Sequence, residues 1–259
     1  MVPSQRKRRI LEQLLIEKTI PIRDLAARME VHEITIRRDL GELEKQGLVE
    51  MVRGGARLVE QAQTDVAYEM RSQRDLEAKR LIAREALKLI SEGDTVALDA
   101  STTSLELARI IGVRERVHVL VSSLDAANVL AASKVTFSII GGTFNPAARG
   151  FSGPISQLVL GRLHPDKAFF SSKGLSQKSG FSDASLVEAE VKTQLIRAAK
   201  SAIALVDGSK FGGVAFSTIV GLEHVDALIT DREPDPALRK WLLEGGVKIT
   251  IAKKTTKER

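Results

Sequence analysis

The sequence contains no cysteine, which excludes disulfide bonds, thiolate nucleophiles and cysteine zinc sites. Its four histidines stand too far apart to form a sequence-local metal motif, so neither a structural metal nor another cofactor is expected. No apolar run reaches the roughly 18 residues that a membrane helix needs. The opening MVPSQRKRRI also lacks the apolar core of a secretion signal. We therefore expect a cytoplasmic protein with no membrane partner.

The composition is that of a globular protein, with 43% hydrophobic and 28% charged residues. A chain of 259 residues is long enough for one small and one medium domain, each with a core of its own. The net charge of +6 is compatible with an anionic partner but does not require one. In the first sixty residues the basic groups cluster at Arg6–Arg9, at Arg37 and Arg38, and at Arg53 and Arg57.

Three helices are predicted in the first fifty residues. Ser4 is suited to cap the first, a turn at Thr19–Pro21 precedes a short second helix, and the third runs from about His32 to Gln46. Gly47 is suited to the left-handed residue that ends a helix. A short second helix and a tight turn before the third are the spacing of a helix-turn-helix.

The third helix has an apolar stripe and an outward face of a different character. Ile36, Leu40 and Leu43 fall on one side and are predicted to be buried. The opposite side carries Ile34, Arg38, Gly41 and Lys45, flanked by Thr35 and Arg37. Such a small, basic face suits a helix that enters the major groove of DNA. Taken alone, it also fits an ordinary exposed face with alternating charge.

A β-hairpin is predicted directly after this helix. Leu48–Val52 and Arg53–Leu58 form two short extended runs around a Gly-Gly turn, with Arg53 at the tip. An arginine there can lie along the phosphate backbone or in the minor groove. A helix-turn-helix followed by this hairpin is a winged helix.

The segment TIRRDLGELEKQGLV and the later VRGGA resemble the DNA-binding signature of the DeoR family of bacterial transcriptional repressors. Thr35–Leu40 is identical to the family pattern, whereas His32 replaces its capping serine, Met51 an arginine and Arg53 a histidine. The resemblance implies binding of double-stranded operator DNA by a homo-oligomer, a dimer or a tetramer. The DNA-binding residues that it implies are Thr35, Arg37, Arg38, Arg53, Gly54 and Gly55.

The remainder is predicted to be a linker, residues 59–78, and an α/β domain, residues 79–259, after a DNA-binding domain of residues 1–58. Within the linker, Tyr68–Arg71 resembles a family Tyr-x-x-Arg element, with either a tethering or a signalling role. The α/β domain alternates helices with nearly continuous apolar strands, which indicates a largely parallel sheet covered on both faces. The strands are predicted at 95–98, 117–122, 135–140, 166–171, 202–206, 226–230 and 247–251.

Ligands of parallel sheets collect at the carboxyl ends of the strands. There Asp99–Thr103 leads into a helix, with Thr103 and Glu106 spaced as a capping box and free N–H groups suited to an anion. Small, hydroxyl and lysine residues recur at the other strand ends, which favours a polar phosphorylated ligand over an apolar one. These ends carry Ser122-Ser123, Gly141-Gly142, Ser172-Lys173-Gly174, Asp207-Gly208-Ser209-Lys210 and Thr230-Asp231.

This half also resembles the DeoR family, whose effector domain is similar to ribose-5-phosphate isomerase and is held to bind phosphorylated sugars. Ser101 replaces the glycine of the family's first loop, and Ser122-Ser123-Leu124 replaces its Thr-Asn-Ser. The effector-binding residues that the resemblance implies are Asp99, Ser101, Thr102, Thr103, Ser122, Gly141, Gly142, Lys173, Gly174, Glu188, Lys192, Asp207 and Lys210.

We therefore expect a repressor of carbohydrate-metabolism genes that a phosphorylated sugar controls, and not an enzyme. The alternative is a sugar-phosphate isomerase with an appended winged helix, in which Asp99, Glu188 or Asp207 would be the base. That alternative leaves the N-terminal winged helix unexplained. A protein-binding adaptor is a third interpretation, and retention on DNA during a salt titration distinguishes it from the first.

Overall fold

A computed structural model describes residues 3–114 and 116–254. The chain divides into two compact units, Met1–Arg74 and Asp75–Arg259. The division lies within the segment 59–78 that was predicted as the linker. No helix in the described ranges is long and apolar enough to cross a membrane.

The first unit is a small helical domain with a three-stranded antiparallel sheet in the order β1-β3-β2. Its core contains residues from every helix and strand of the unit. The elements are α1 (Pro3–Glu17), β1 (Thr19–Pro21), α2 (Ile22–Met29), α3 (Glu33–Lys45), β2 (Val49–Val52), β3 (Gly55–Leu58) and α4 (Glu60–Gln73).

The predicted burial of α3 is confirmed, because Ile36, Leu40 and Leu43 are all buried. His32 is the N-cap residue and makes no side-chain capping hydrogen bond, as its place in the family's serine position implied. Gly47 adopts the predicted left-handed conformation, with φ of 69°. The prediction for Ser4 is wrong, because α1 already begins at Pro3 and Ser4 lies inside the helix.

Thr19–Pro21 is a strand and not the turn that was predicted. This strand, β1, pairs with β3, with Ile20 opposite Ala56 and Pro21 opposite Gly55. A Cβ atom at Gly55 would lie 2.5 Å from the carbonyl oxygen of Ile20, so only glycine permits this close approach. The wing is therefore part of a sheet that also contains the segment leading into α2.

The predicted linker is largely helical. Helix α4 places Ala62 and Val66 in buried positions, and Met70 packs against the core of the first unit. These residues recur every four positions and form a narrow stripe on an otherwise polar helix. The segment therefore belongs to the first unit as far as Arg74. The second unit begins at Asp75, and its first helix, α5, begins at Leu76.

The second unit is built on a seven-stranded parallel sheet in the order β15-β14-β12-β9-β4-β5-β6, and all seven predicted strands are present. Its helices are α5 (Leu76–Lys88), α6 (Thr102–Ile111), α7 (Leu124–Ala131), α8 (Pro154–Leu160), α9 (Leu186–Ala198) and α10 (Pro236–Glu244). The strands of the large sheet are β4 (Thr95–Leu98), β5 (His118–Val121), β6 (Thr136–Ile139), β9 (Lys167–Phe170), β12 (Ser201–Leu205), β14 (Ala227–Thr230) and β15 (Lys248–Ile251).

Helices cover both faces of this sheet. Phe169 packs in a cluster with α5, α6 and α7, whereas its neighbour Phe170 points to the opposite side and packs with α9 and α10. Two small antiparallel sheets were not predicted, because their strands are short and rich in glycine and serine. They consist of β7 (Thr143–Asn145) with β8 (Gly150–Ser152), and of β10 (Gly174–Ser176), β11 (Gly180–Asp183) and β13 (Ser217–Val220).

A buried ion pair connects α1 to α3. The Arg6 guanidinium donates two hydrogen bonds to the Asp39 carboxylate, one of them at 3.1 Å between Nη2 and Oδ1. The two side chains are 6% and 1% exposed. Arg6 was grouped with the surface cluster Arg6–Arg9 as a candidate for an anionic partner, and its burial removes it from that group. Lys7 is also engaged, since it pairs with Glu42.

We expect Asp39→Ala to cost about 3–5 kcal/mol of stability, because it leaves the Arg6 guanidinium buried without its counter-charge. Hydrogen exchange followed by mass spectrometry should show faster exchange of the α1 and α3 amides. Glu42→Ala is the matched control, since its partner Lys7 is only partly buried, and it should cost less than about 1 kcal/mol. Equal protection of the two variants would contradict the structural role of the buried pair.

Candidate functional site

The outward face of α3 is basic and open to solvent. Arg37 and Arg38 are both exposed, and Thr35 beside them is half-buried. The Nη2 atom of Arg37 lies 3.7 Å from Glu33. Among the described residues, Arg38 has no ion-pair partner. The helix therefore presents two exposed guanidinium groups, of which Arg37 is paired with Glu33 and Arg38 forms no ion pair within the described part of the chain.

The other carboxylates of α3 are occupied elsewhere. Asp39 is buried with Arg6, and Glu42 accepts a hydrogen bond from Lys7, which lowers the pKa of that carboxyl. Glu44 accepts a hydrogen bond of 3.2 Å from the backbone N–H of Met51. The acidic residues that alternate with the arginines in the sequence therefore hold α3 against α1 and the wing.

The hairpin of β2 and β3 places Arg53 and Gly54 at its two-residue turn, between the paired residues Val52 and Gly55. Arg53 is exposed and has no ion-pair partner in the described part of the chain. Arg57, farther down the wing, is paired with Glu50 at 2.5 Å. Arg53 is thus the wing arginine that remains available to another molecule.

The carboxyl edge of the second unit contains a buried lysine bound by acidic groups. The Lys192 Nζ atom, from α9, donates to Asp183 Oδ2 at 2.6 Å and to the Ser171 carbonyl at 2.9 Å, and it lies 3.2 Å from Asp99 Oδ2. Burial acts to lower the pKa of Lys192, but the two carboxylates outweigh it and raise that pKa. Lys192 therefore remains charged and joins three strand ends.

Asp99 is fully engaged with the loop that follows β4. It accepts hydrogen bonds from the hydroxyls of Ser101, at 2.6 Å, and Ser104, and from the backbone N–H of Ser171 at 3.1 Å. The Ser101 hydroxyl caps α6 by accepting from the Ser104 N–H at 3.1 Å. Asp99 thus orients the loop and the start of the helix.

The capping box predicted at Thr103 and Glu106 is wrong, because Ser101 is the N-cap and α6 starts at Thr102. Glu106 instead forms ion pairs with Arg80 at 3.2 Å and Arg109 at 3.0 Å. Thr102 is half-buried and Thr103 is buried at the first turn. The first backbone N–H groups of α6 have no carbonyl acceptor inside the helix, and they lie at the carboxyl edge of the sheet.

Ser122 and the two glycines form the loops beside this helix start. Ser122 is buried, and its hydroxyl lies 3.5 Å from the Leu98 carbonyl. Gly141 and Gly142 connect β6 to the β7–β8 hairpin. A Cβ atom at Gly142 would lie 2.6 Å from the Ser152 carbonyl oxygen, so the hairpin can pack here only against glycine.

Glu188 lies at the start of α9, one helical turn before Lys192. It is buried and accepts a hydrogen bond of 3.1 Å from the Asn145 amide. Burial raises the pKa of Glu188, although Lys192 and the amide oppose that effect. Asn145 and Asp183 were not predicted as site residues, because both lie on short strands that the sequence pattern did not indicate.

A second group lies at the carboxyl end of β12, separated from Asp99 by the intervening strand β9. Asp207 is buried, and it accepts hydrogen bonds from the N–H of Ser209, at 3.1 Å, and from its hydroxyl. The Lys210 Nζ atom donates to the Ser209 hydroxyl at 2.9 Å and lies 3.7 Å from Asp207 Oδ2. Lys173 is exposed beyond β9, and Gly174 begins the buried strand β10.

Lys79, in the first turn of α5, is a buried residue of this second group that the sequence did not single out. Burial lowers its pKa to about 8, an effect that the charge of Lys210 reinforces and that Asp207, Asp75 and Glu106 oppose. Its position could have been inferred from the sequence. Lys79 precedes Ile82, Ala83, Ala86 and Ile90 at helical spacing on the apolar face of α5.

Known proteins similar to this chain are transcriptional regulators. It is 34% identical to the uncharacterized HTH-type transcriptional regulator YulB of Bacillus subtilis, with 96% of this chain and 97% of that protein covered. It is 31% identical to the HTH-type transcriptional regulator GolR of Listeria innocua, with 97% and 100% covered. It is 33% identical to the lactose phosphotransferase system repressor of Streptococcus mutans, with 91% and 96% covered.

Among solved structures, a ribose 5-phosphate isomerase A from Methanocaldococcus jannaschii matches 53% of this chain and 55% of its own, with 19% identity and a TM-score of 0.39. Two family models cover most of the sequence. The DeoR-like helix-turn-helix domain matches residues 6–62, and the DeoR C terminal sensor domain matches residues 74–232. The chain therefore belongs to the DeoR family of transcriptional regulators.

Proposed function

We propose that this protein represses carbohydrate-metabolism genes by binding operator DNA, and that a phosphorylated sugar bound in the second unit controls it. The observation that carries the DNA-binding part is the exposed guanidinium of Arg38, which forms no ion pair among the described residues, on a helix α3 whose Asp39 and Glu42 are paired with Arg6 and Lys7. The sugar connection is supported by the relative from Streptococcus mutans, whose name refers to lactose. As a regulator of the chromosome, the protein would act in the cytoplasm.

On DNA, α3 would enter the major groove. Arg38 and Arg37 would contact base edges and phosphates there, and Thr35 would contact the flank of the groove. Arg53 would reach the backbone or the minor groove, with Gly54 and Gly55 setting the shape of the wing. A symmetric dimer or tetramer would present two such units to two half-sites.

In the second unit, the phosphate would lie near the start of α6. Ser101, Thr102 and Thr103 would offer hydroxyl and N–H groups, while Lys79, Lys173 and Lys210 would supply positive charge. The sugar hydroxyls would contact Glu188 and its partner Asn145. Asp99, Lys192 and Asp207 would keep these loops in position, and Ser122, Gly141, Gly142 and Gly174 would shape the walls.

The isomerase alternative is not favoured, because the relatives are regulators and repressors rather than enzymes. The site itself also argues against Asp99 and Asp207 as bases. Asp99 is paired with Lys192 and accepts four hydrogen bonds from Ser101, Ser104 and Ser171, and Asp207 accepts two hydrogen bonds within its own turn. Proton abstraction would first require these bonds to break.

Control by a sugar requires a difference in affinity between two states of the protein. A ligand that binds the DNA-competent and DNA-incompetent states equally does not change their populations. The coupling free energy between two binding sites is typically about 1–3 kcal/mol. A thermal-shift screen of phosphorylated sugars, with and without operator duplex, tests the pocket and the coupling together. At least one phosphosugar should raise the melting temperature, its unphosphorylated form should not, and operator should change the size of the shift.

Arg38→Ala should weaken operator binding at fixed salt by about tenfold to a hundredfold, the range of about 1–3 kcal/mol typical of one base-contacting arginine. Fluorescence anisotropy with a labelled operator duplex measures the affinity of each variant for the operator. Arg197→Ala removes an exposed arginine from α9 and serves as the control for net charge. If both variants bind like the parent protein, α3 does not dock as proposed.

The affinity for the phosphosugar should fall as pH rises through about 8. Below that pH Lys79 is charged and attracts the anion, whereas above it the lysine is neutral. Lys79→Met should weaken binding by about tenfold to a hundredfold at pH 7 and abolish this pH dependence, since charge-assisted hydrogen bonds contribute about 1.5–3 kcal/mol. Isothermal titration at pH 7 and pH 9 measures both effects. Lys88→Met, an exposed change in the same helix, should behave like the parent.

The same variant should stabilise the ligand-free protein. The pKa of Lys79 is lower in the folded state than its usual 10.5, so its protonation opposes folding below pH 8, and this cost disappears between pH 8 and 10.5. Lys79→Met should therefore raise the melting temperature at pH 7 and have little effect at pH 10.5. An unchanged melting temperature at pH 7 would contradict the burial of a charged lysine.

A further inference from the structure

One apolar side chain stands on the face of α3 that is proposed to meet DNA. Ile34 is 78% exposed, whereas the other large apolar residues of the helix, Ile36, Leu40 and Leu43, are buried. Its neighbours on that face are arginine, lysine and glycine. The stability of the first unit therefore owes little to Ile34, and its side chain is available to a partner.

The position of Ile34 directs it toward the same surface as Arg38. At 100° per residue, Ile34 lies about 40° from Arg38 and about 20° from Gly41 around the helix axis. Gly41 has no side chain, and a Cβ atom added there would meet no atom within 4 Å. Ile34 is in the first turn of α3, the end at which recognition helices contact base edges.

The chemistry of the major groove defines what such a side chain can recognise. Hydrogen-bond donors and acceptors line the groove, and its apolar feature is the C5-methyl group of thymine. The β-branched side chain of isoleucine has few rotamers, so little conformational entropy is lost when it is held against a methyl group. A carboxylate or guanidinium group at this place would not pack against the methyl group in this way.

We infer that Ile34 contacts a thymine methyl group in each operator half-site and thereby selects a T·A pair at that position. This inference rests on the proposed function, since it requires α3 to lie in the major groove. It adds a specificity residue to the basic ones, because Arg38 can recognise guanine by hydrogen bonding while Ile34 recognises thymine by packing. The two contacts read different features of the operator.

The test is a double-mutant cycle between protein and DNA. An operator duplex is first selected from a random library with the full-length protein, and each thymine of a half-site is then replaced in turn by deoxyuridine, which lacks only the methyl group. One replacement should weaken binding of the parent protein about fourfold, the value of one buried methyl group. Ile34→Ala should bind more weakly than the parent and should not respond to that replacement.

Ile16→Ala is the matched control, because Ile16 is also 78% exposed in the first unit but lies on α1. It should retain both the affinity of the parent and its response to deoxyuridine. If every deoxyuridine effect persists in Ile34→Ala, the inference is overturned while the proposed function stands. If the parent protein selects no duplex at all, both are overturned.

Discussion

A charge removed from water must be matched by an opposite charge or by hydrogen bonds, and each unit of this protein is organised around one such match. In the first unit, Arg6 and Asp39 fix the recognition helix to the first helix. In the second, Lys192 pairs with Asp99 and Asp183 and donates a hydrogen bond to the Ser171 carbonyl. Because an unpaired buried charge is costly, these contacts stabilise the observed arrangement of the elements that they join.

Ion pairs and hydrogen bonds within the protein also engage carboxylates near both candidate binding surfaces, so that these carboxylates repel an anionic ligand less. On α3, carboxylates that follow the arginines in sequence are directed to other partners, so the outward face keeps its positive potential. At the sheet edge, Asp99 and Asp183 are bound to Lys192, and Asp207 accepts hydrogen bonds within the turn at Ser209.

Periodicity predicted the features that depend on local sequence. The stripe of Ile36, Leu40 and Leu43 and the seven apolar strands both follow from regular burial, and both are present. The strand at Thr19–Pro21 could not be predicted this way, because three residues carry no period and the partner strand lies far along the chain. The pairing of Arg6 with Asp39, 33 residues apart, is likewise a product of tertiary structure.

The candidate site was predictable in outline for a topological reason, since the carboxyl ends of parallel strands share one edge. Which side chains are free at that edge was not, because hydrogen-bond partners such as Asn145 and Asp183 come from short hairpins without a sequence signal. Lys79, in contrast, lies within a clear helical pattern, and it was overlooked because of its place in that pattern. It occupies an apolar stripe of α5, where a charged residue is easily counted as the boundary of the helix.

The pairing of β1 with β3 also has a bearing on how this family could change its DNA sequence preference. Residues 19–21 run without interruption into α2, so the backbone hydrogen bonds between β1 and β3 connect the wing directly to the helix-turn-helix. Reorienting the wing alone would break those hydrogen bonds. New operator preferences should therefore evolve by exchanging surface side chains on a constant frame, and not by tilting one element against another.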